Sequence, residues 1–136
     1  MNARRLAQDL LRDEGLRLKP YRCTAGKLTI GVGRNLDDRG LTEAEALLLL
    51  DNDIQDCWAR LEAGLPWVTT APEAVQEVLA NMCFNLGLAG VLAFRQTLEH
   101  LRAGRYAEAA AEMLRSKWAQ QVGPRAERLA ARLREL

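Results

Sequence analysis

The sequence predicts an α+β fold that is mostly helical, with one small β-hairpin lobe near its N-terminus. Three observations predict it. Apolar residues recur at helical spacing over 3–14 and over much of 42–136. The pattern vanishes between Leu16 and Leu36, where the turn Thr24-Ala-Gly-Lys27 precedes a β-prone run of Leu28, Thr29, Ile30 and Val32. Gly31 and Gly33 punctuate that run, as kinks or close backbone approaches do. At 136 residues the chain is long enough for one domain around one shared core, and 1–136 is read as a single domain.

The elements follow in order. Asn2 caps a first helix over 3–14, Leu6, Leu10 and Leu11 share a face of it, and Gly15 stops it. The hairpin lobe over about 15–40 is a two-stranded hairpin or a three-stranded sheet. Two strands alone are marginal in water, so the lobe needs a larger body to lean on. That body is helical. Thr42 and Glu45 make a capping box, opening a long helix with Leu47, Ile54, Trp58 and Leu61 on one stripe. Thr70 and Glu73 make a second box, with Pro72 in the first turn where its missing N–H costs little. Val75, Val78, Leu79, Met82 and Leu86 then form the most apolar face, the predicted central helix, which Gly87 ends. Shorter helices over 94–103 and 106–114 flank Gly104. Trp118 lies just before a break at Gly123-Pro124, and a last helix runs from Arg125 toward Leu136. Trp58, Trp67 and Trp118 line either the core or a cleft.

Composition narrows the function. Nineteen Lys and Arg against 18 Asp and Glu leave a net charge of +1, so no global field draws the chain to nucleic acid. Arg125, Arg128, Arg132 and Arg134 read as a solvated helix face. No uncharged apolar run reaches the length of a membrane span. Arg4, Arg5, Asp9, Arg12, Asp13 and Glu14 interrupt any signal peptide in the first fifteen residues. Accumulation in the cytoplasm is therefore expected, with a separate route to any substrate elsewhere. The cysteines Cys23, Cys57 and Cys83 are odd in number and lack paired spacing, so no disulfide framework is expected. Cys57 and Cys83 read as small apolar side chains within helices. With His100 the only histidine and no Cys-x-x-Cys, no metal is expected, and no cofactor.

The most specific feature is Glu14, eight residues, Cys23, five residues, Thr29. A carboxylate at a helix C-terminus faces the negative end of the macrodipole, which disfavours its ionised form. A general acid needs that bias. On position alone, Glu14 is either such a proton donor or a plain exposed carboxylate.

Glu14-Gly-Leu-Arg-Leu-Lys-Pro-Tyr21 and Thr29-Ile-Gly-Val-Gly-Arg-Asn-Leu36 resemble the phage-type lysozymes, the endolysins of glycoside hydrolase family 24 related to T-even phage lysozyme. The family spacing is Glu-(8)-Asp or Cys-(5)-Thr. The resemblance continues through Asn81-Met-Cys-Phe84-Asn85-Leu-Gly87, Phe94-Arg-Gln-Thr97-Leu, Ser116-Lys-Trp118 and Gly123-Pro-Arg125-Ala-Glu-Arg128. It implies a lysozyme-like fold of two lobes and hydrolysis of the β-1,4 bond between N-acetylmuramic acid and N-acetylglucosamine in peptidoglycan. Glu14 would be the general acid, and Cys23 and Thr29 would position or activate water on the opposite sugar face, an inverting geometry. Asn35, Phe84, Asn85 and Thr97 would contact substrate, with buried core the competing reading of Phe84. The family also sets an arginine, here Arg125, beside the catalytic glutamate. The partner implied is the glycan strand, acted on by a monomer in the cell wall.

Three departures stand out. Cys23 replaces the commoner aspartate, and is either a water-positioning group or a passive packed thiol. Arg34 stands where the T-even member has histidine. The family often runs further past the last helix, so thinner packing of the C-terminal lobe is expected. A lytic transglycosylase, closing an anhydro ring with the same acid, and a non-catalytic wall-binding module are the competing functions.

Overall fold

A computed structural model describes all of residues 1–136. The chain forms two compact units, Met1–Leu48 and Leu49–Leu136. The first contains helix α1 (Ala3–Glu14) and a sheet of β1 (Arg17–Arg22), β2 (Leu28–Gly31) and β3 (Arg34–Asn35). Helix α2 (Glu43–Gly64) begins in the first unit and continues into the second. The second unit adds α3 (Glu73–Leu92), α4 (Arg95–Arg102), α5 (Tyr106–Leu114), α6 (Lys117–Val122) and α7 (Pro124–Arg134). The α+β class read from the sequence is therefore the observed one.

In the first unit the backbone follows its local chemistry. The Asn2 side chain accepts from the Arg5 N–H at 3.0 Å and caps α1. Gly15 ends the helix with φ 76°, its N–H donating to the Leu11 carbonyl. The sheet is antiparallel in the order β1-β2-β3. Its register slips between Arg17 and Tyr21, a stretch that contains Pro20. Proline lacks the ladder N–H and is tolerated at such irregularities. The Thr42–Glu45 capping box forms as expected: Thr42 N–H donates to Glu45 Oε1 at 2.8 Å and Glu45 N–H to Thr42 Oγ1 at 3.2 Å.

No apolar side chain of this unit is fully buried, and Leu6, Leu10, Leu11, Leu16 and Leu18 are exposed. Polar contacts hold its turns instead. Leu28 N–H donates to Asp37 Oδ2 at 2.7 Å, and Lys27 pairs with Asp38 at 3.1 Å.

The hydrophobic core belongs to the second unit. Val75, Val78, Leu79 and Met82 of α3 are fully buried, as is Leu61 at the end of α2. Glu73–Leu92 has the length and apolarity of a membrane span, yet these four side chains lie inside the folded body, as the core of a central helix does. The α2 stripe is buried only at its C-terminal end: Leu47 and Ile54 are exposed, Trp58 is half-buried and Leu61 is sealed. Trp118 is a core residue, meeting Phe94 edge-on at 5.8 Å, while Trp58 and Trp67 pack at the margin. Helix α7 buries Ala126, Leu129, Ala130 and Leu133, so the packing there is not thin.

Two local expectations need correction, and one short helix was not foreseen. The second capping box does not form. Residues Pro66–Thr70 wind into a 3₁₀ turn, the Thr70 hydroxyl donates to the Trp67 carbonyl, and α3 starts behind Pro72 without a side-chain cap. Gly87 breaks α3 with φ 75° and ψ 168°, but helical structure resumes to Leu92. Trp118 sits inside the additional helix α6, capped by Ser116 Oγ accepting from Ala119 N–H at 3.1 Å.

Candidate active site

The expected catalytic residues Glu14, Cys23 and Thr29 all lie in the first unit. Thr29 occupies the middle of the central strand, opposite Tyr21 on one side and Asn35 on the other. It is 3% exposed, the most deeply buried side chain of the unit. Its hydroxyl donates to the Lys27 carbonyl at 2.9 Å. The same carbonyl accepts from Cys23 N–H at 2.9 Å, closing the turn between β1 and β2. One backbone oxygen thus ties the thiol residue to the hydroxyl residue.

The Cys23 thiol is held below its ordinary range. The main cause is backbone hydrogen bonding from Lys27, then from Ala25. The neighbouring Arg22 is not a source of the shift. Its guanidinium donates instead to the Gly26 carbonyl at 3.0 Å. Cys23 is half-buried and its sulfur carries more thiolate at neutral pH than a free cysteine does. Iodoacetamide at pH 7 is expected to label Cys23 well before Cys83, whose buried thiol is pushed the other way. Peptide mapping against time checks the order, and equal labelling of both would contradict it.

Glu14 is exposed at the last turn of α1. Its carboxyl group lies against Gly33 in the turn joining β2 to β3. A Cβ at position 33 would stand 3.1 Å from Glu14 Oε2 and 3.3 Å from Cδ. Gly33 also has φ 69°, which side-chain-bearing residues rarely adopt. Two constraints therefore require glycine where the sheet meets the carboxylate.

Behind that turn is a feature that sequence reading missed. Arg34 grips Glu45 with both ends of its guanidinium, at 2.8 Å and 2.6 Å, and also donates to the Gly40 carbonyl at 3.1 Å. The only sequence signal was Glu45 in its capping role, which says nothing of a second partner. Hydrogen bonds from Arg34, then from Thr42, draw the Glu45 carboxyl down to about 2. A carboxyl with a folded value below its unfolded one stabilises the fold fully above about 4.5. That contribution disappears as the pH falls toward 2. Acid titration of this unit followed by circular dichroism should show a loss across that window, and Glu45→Gln should flatten it. An unchanged acid transition in Glu45→Gln would contradict the assignment.

The expected substrate contacts fall into two groups. Asn35 is in the first unit, and its amide is engaged with Asp38 at both ends: Nδ2 donates to Oδ2 at 3.1 Å and Oδ1 accepts from the Asp38 N–H at 3.0 Å. Phe84, Asn85 and Thr97 are in the second unit. Phe84 is 47% exposed, which removes the core reading for it. Asn85 accepts from Trp118 Nε1–H at 2.7 Å through Oδ1, so its amide nitrogen takes no part in that bond. Thr97 is buried in the wall of a hollow of about 350 Å³ shared with Phe94, Gln96, Arg115 and Ser116. Arg125, also in the second unit, donates to Asn81 Oδ1 at 2.8 Å and to the Asn81 carbonyl at 3.1 Å.

The profile of the family described as phage lysozyme matches residues 12–135. The chain belongs to the phage lysozyme family. It is similar to the probable T4-type lysozyme 1 of Dictyostelium discoideum, 28% identical over 90% of this chain and 89% of that protein. It is also similar to the endolysin of Acyrthosiphon pisum secondary endosymbiont phage 1, 32% identical over 79% of this chain and 72% of the other. The pre-baseplate central spike protein Gp5 of Enterobacteria phage T4 is 29% identical over 91% of this chain, which spans only 26% of that protein. The chain is thus a lysozyme-type glycoside hydrolase whose substrate is peptidoglycan.

Proposed function

We propose that the enzyme hydrolyses the β-1,4 bond between N-acetylmuramic acid and N-acetylglucosamine, with Glu14 protonating the leaving glycosidic oxygen. Thr29 and the Cys23 sulfur hold or activate the water that attacks the opposite face of the sugar. The observation that carries this reading is the turn in which the Lys27 carbonyl binds both Cys23 and Thr29. It supports a fixed polar pair in the same compact unit as the one carboxylate that rests on the sheet's glycine turn. A thiol biased toward thiolate by backbone amides supports water activation at that position.

The exposed ring of Phe84 is suited to stack on a sugar, and the Asn85 amide nitrogen to donate to one. Thr97 would reach substrate from the wall of the separate hollow it shares with Phe94 and Ser116. Asn35 would reach substrate only by leaving Asp38. Arg125 keeps a supporting role, oriented by Asn81. The two units act as lobes of a single lysozyme-like domain, as a monomer. The enzyme accumulates in the host cytoplasm and reaches the cell wall by a separate export or release route.

Purified peptidoglycan digested by wild type and by Glu14→Gln tests the reading. Wild type should release muropeptides with reducing ends and Glu14→Gln almost none. Anhydro products from the wild type would instead indicate a transglycosylase, and wall binding without cleavage a binding module. Full activity after confirmed alkylation of Cys23 would remove the sulfur from the mechanism.

A further inference from the structure

The three cysteines occupy two different settings. Cys23 stands alone in its hairpin turn, whereas Cys57 of α2 and Cys83 of α3 meet inside the second unit. The Cys83 thiol donates to the Cys57 carbonyl oxygen at 3.9 Å, and the Cys57 thiol is its close neighbour. Cys83 is 3% exposed, and Cys57 packs half-buried against the same core. Cys57 also lines a groove of about 310 Å³ with Leu50, Ile54, Ala80 and Phe84. A small reagent in that groove meets Cys57, with Cys83 buried in the core beyond it.

We propose that Cys57 and Cys83 are a dithiol that closes to an intramolecular disulfide when the protein meets a small-molecule disulfide, leaving Cys23 free. The oxidant belongs to the class of oxidised glutathione. The Cys57 thiolate attacks one glutathione sulfur, forming a mixed disulfide and expelling one glutathione thiolate. Cys83 gives its proton to that thiolate or to solvent, and its sulfur attacks the Cys57 sulfur. The second glutathione leaves as a thiolate and is protonated by solvent. The two cysteines lose two electrons, and one glutathione disulfide becomes two thiols.

The division of labour follows from the setting. Burial above all, then the neighbouring Cys57, raises the Cys83 thiol to about 11, which keeps it unreactive toward reagents in bulk water. It reacts with the one electrophile delivered beside it. The bond would join residues 26 apart in the chain and tie α2 to α3. Cross-links of that kind constrain the unfolded chain and raise stability. A reducing compartment keeps the pair open and an oxidising one closes it.

The test treats the full chain with oxidised glutathione, blocks the remaining thiols and maps peptides without reduction. The expected result is one cross-linked species joining the Cys57 and Cys83 peptides, 2 Da lighter than their sum, with Tm raised by several degrees. Cys57→Ser should abolish both the cross-link and the Tm rise, and reduction should reverse them. A persistent glutathione adduct on Cys57, or a cross-link that includes Cys23, would overturn the proposal. Because the map is made on the wild type, the result does not depend on a variant folding.

Discussion

Glu14→Gln is expected to lower turnover on peptidoglycan by about 10²- to 10⁴-fold, the usual contribution of one general acid. The amide keeps the shape of the carboxyl group but has no proton to give. The fold should survive, because Glu14 is exposed and caps no helix. The loss should therefore appear in kcat with KM little changed, as for an interaction made only in the transition state. Circular dichroism and Tm close to wild type would show that chemistry and not folding was removed. Turnover within about threefold of wild type would take Glu14 out of the acid role.

The second large effect is on stability. Leu79→Ala should cost about 2–5 kcal/mol, because Leu79 is fully buried in α3 and truncation leaves a cavity among its neighbours. For a chain of this size that lowers Tm on the order of 10 °C. Leu47→Ala on α2, where the side chain is 55% exposed, should change stability by no more than about 0.5 kcal/mol. Both leucines lie on predicted apolar helix faces, so urea unfolding of the pair separates burial from periodicity. Equal losses would contradict the placement of the core in the second unit.

That contrast marks how far the sequence could be read. Periodicity identified the helices and the α3 core, since a central helix must carry its apolar side chains at 3.6-residue spacing whatever surrounds it. It could not say that the first turns of α2 leave Leu47 and Ile54 open, because a stripe does not name what covers it. The two Thr-x-x-Glu patterns teach the same lesson. Thr42 and Glu45 cap α2, but Thr70 is already committed to a 3₁₀ turn and Pro72 precedes α3. The local string was equivalent, and the preceding backbone decided. Helix α6 was missed because six residues are too few for a period to emerge.

The candidate site was legible in part. Spacing placed Cys23 and Thr29 at the two sides of one turn, and their common tie to the Lys27 carbonyl is a short-range consequence. The approach of Glu14 to Gly33 and the Arg34–Glu45 pair join segments distant in sequence. No local rule contains them. The pairing of Cys57 with Cys83 was hidden for the same reason, since each alone looks like an apolar helix residue.

The most direct measurement of the central claim is digestion of purified glycan strands in ¹⁸O-labelled water, followed by mass spectrometry and NMR of the new reducing ends. A proton from Glu14 and a water held by Thr29 and Cys23 predict ¹⁸O at C1 of every new N-acetylmuramic acid terminus, with the anomeric configuration inverted at first release. Unlabelled 1,6-anhydro termini, or labelled termini that retain configuration, would contradict it.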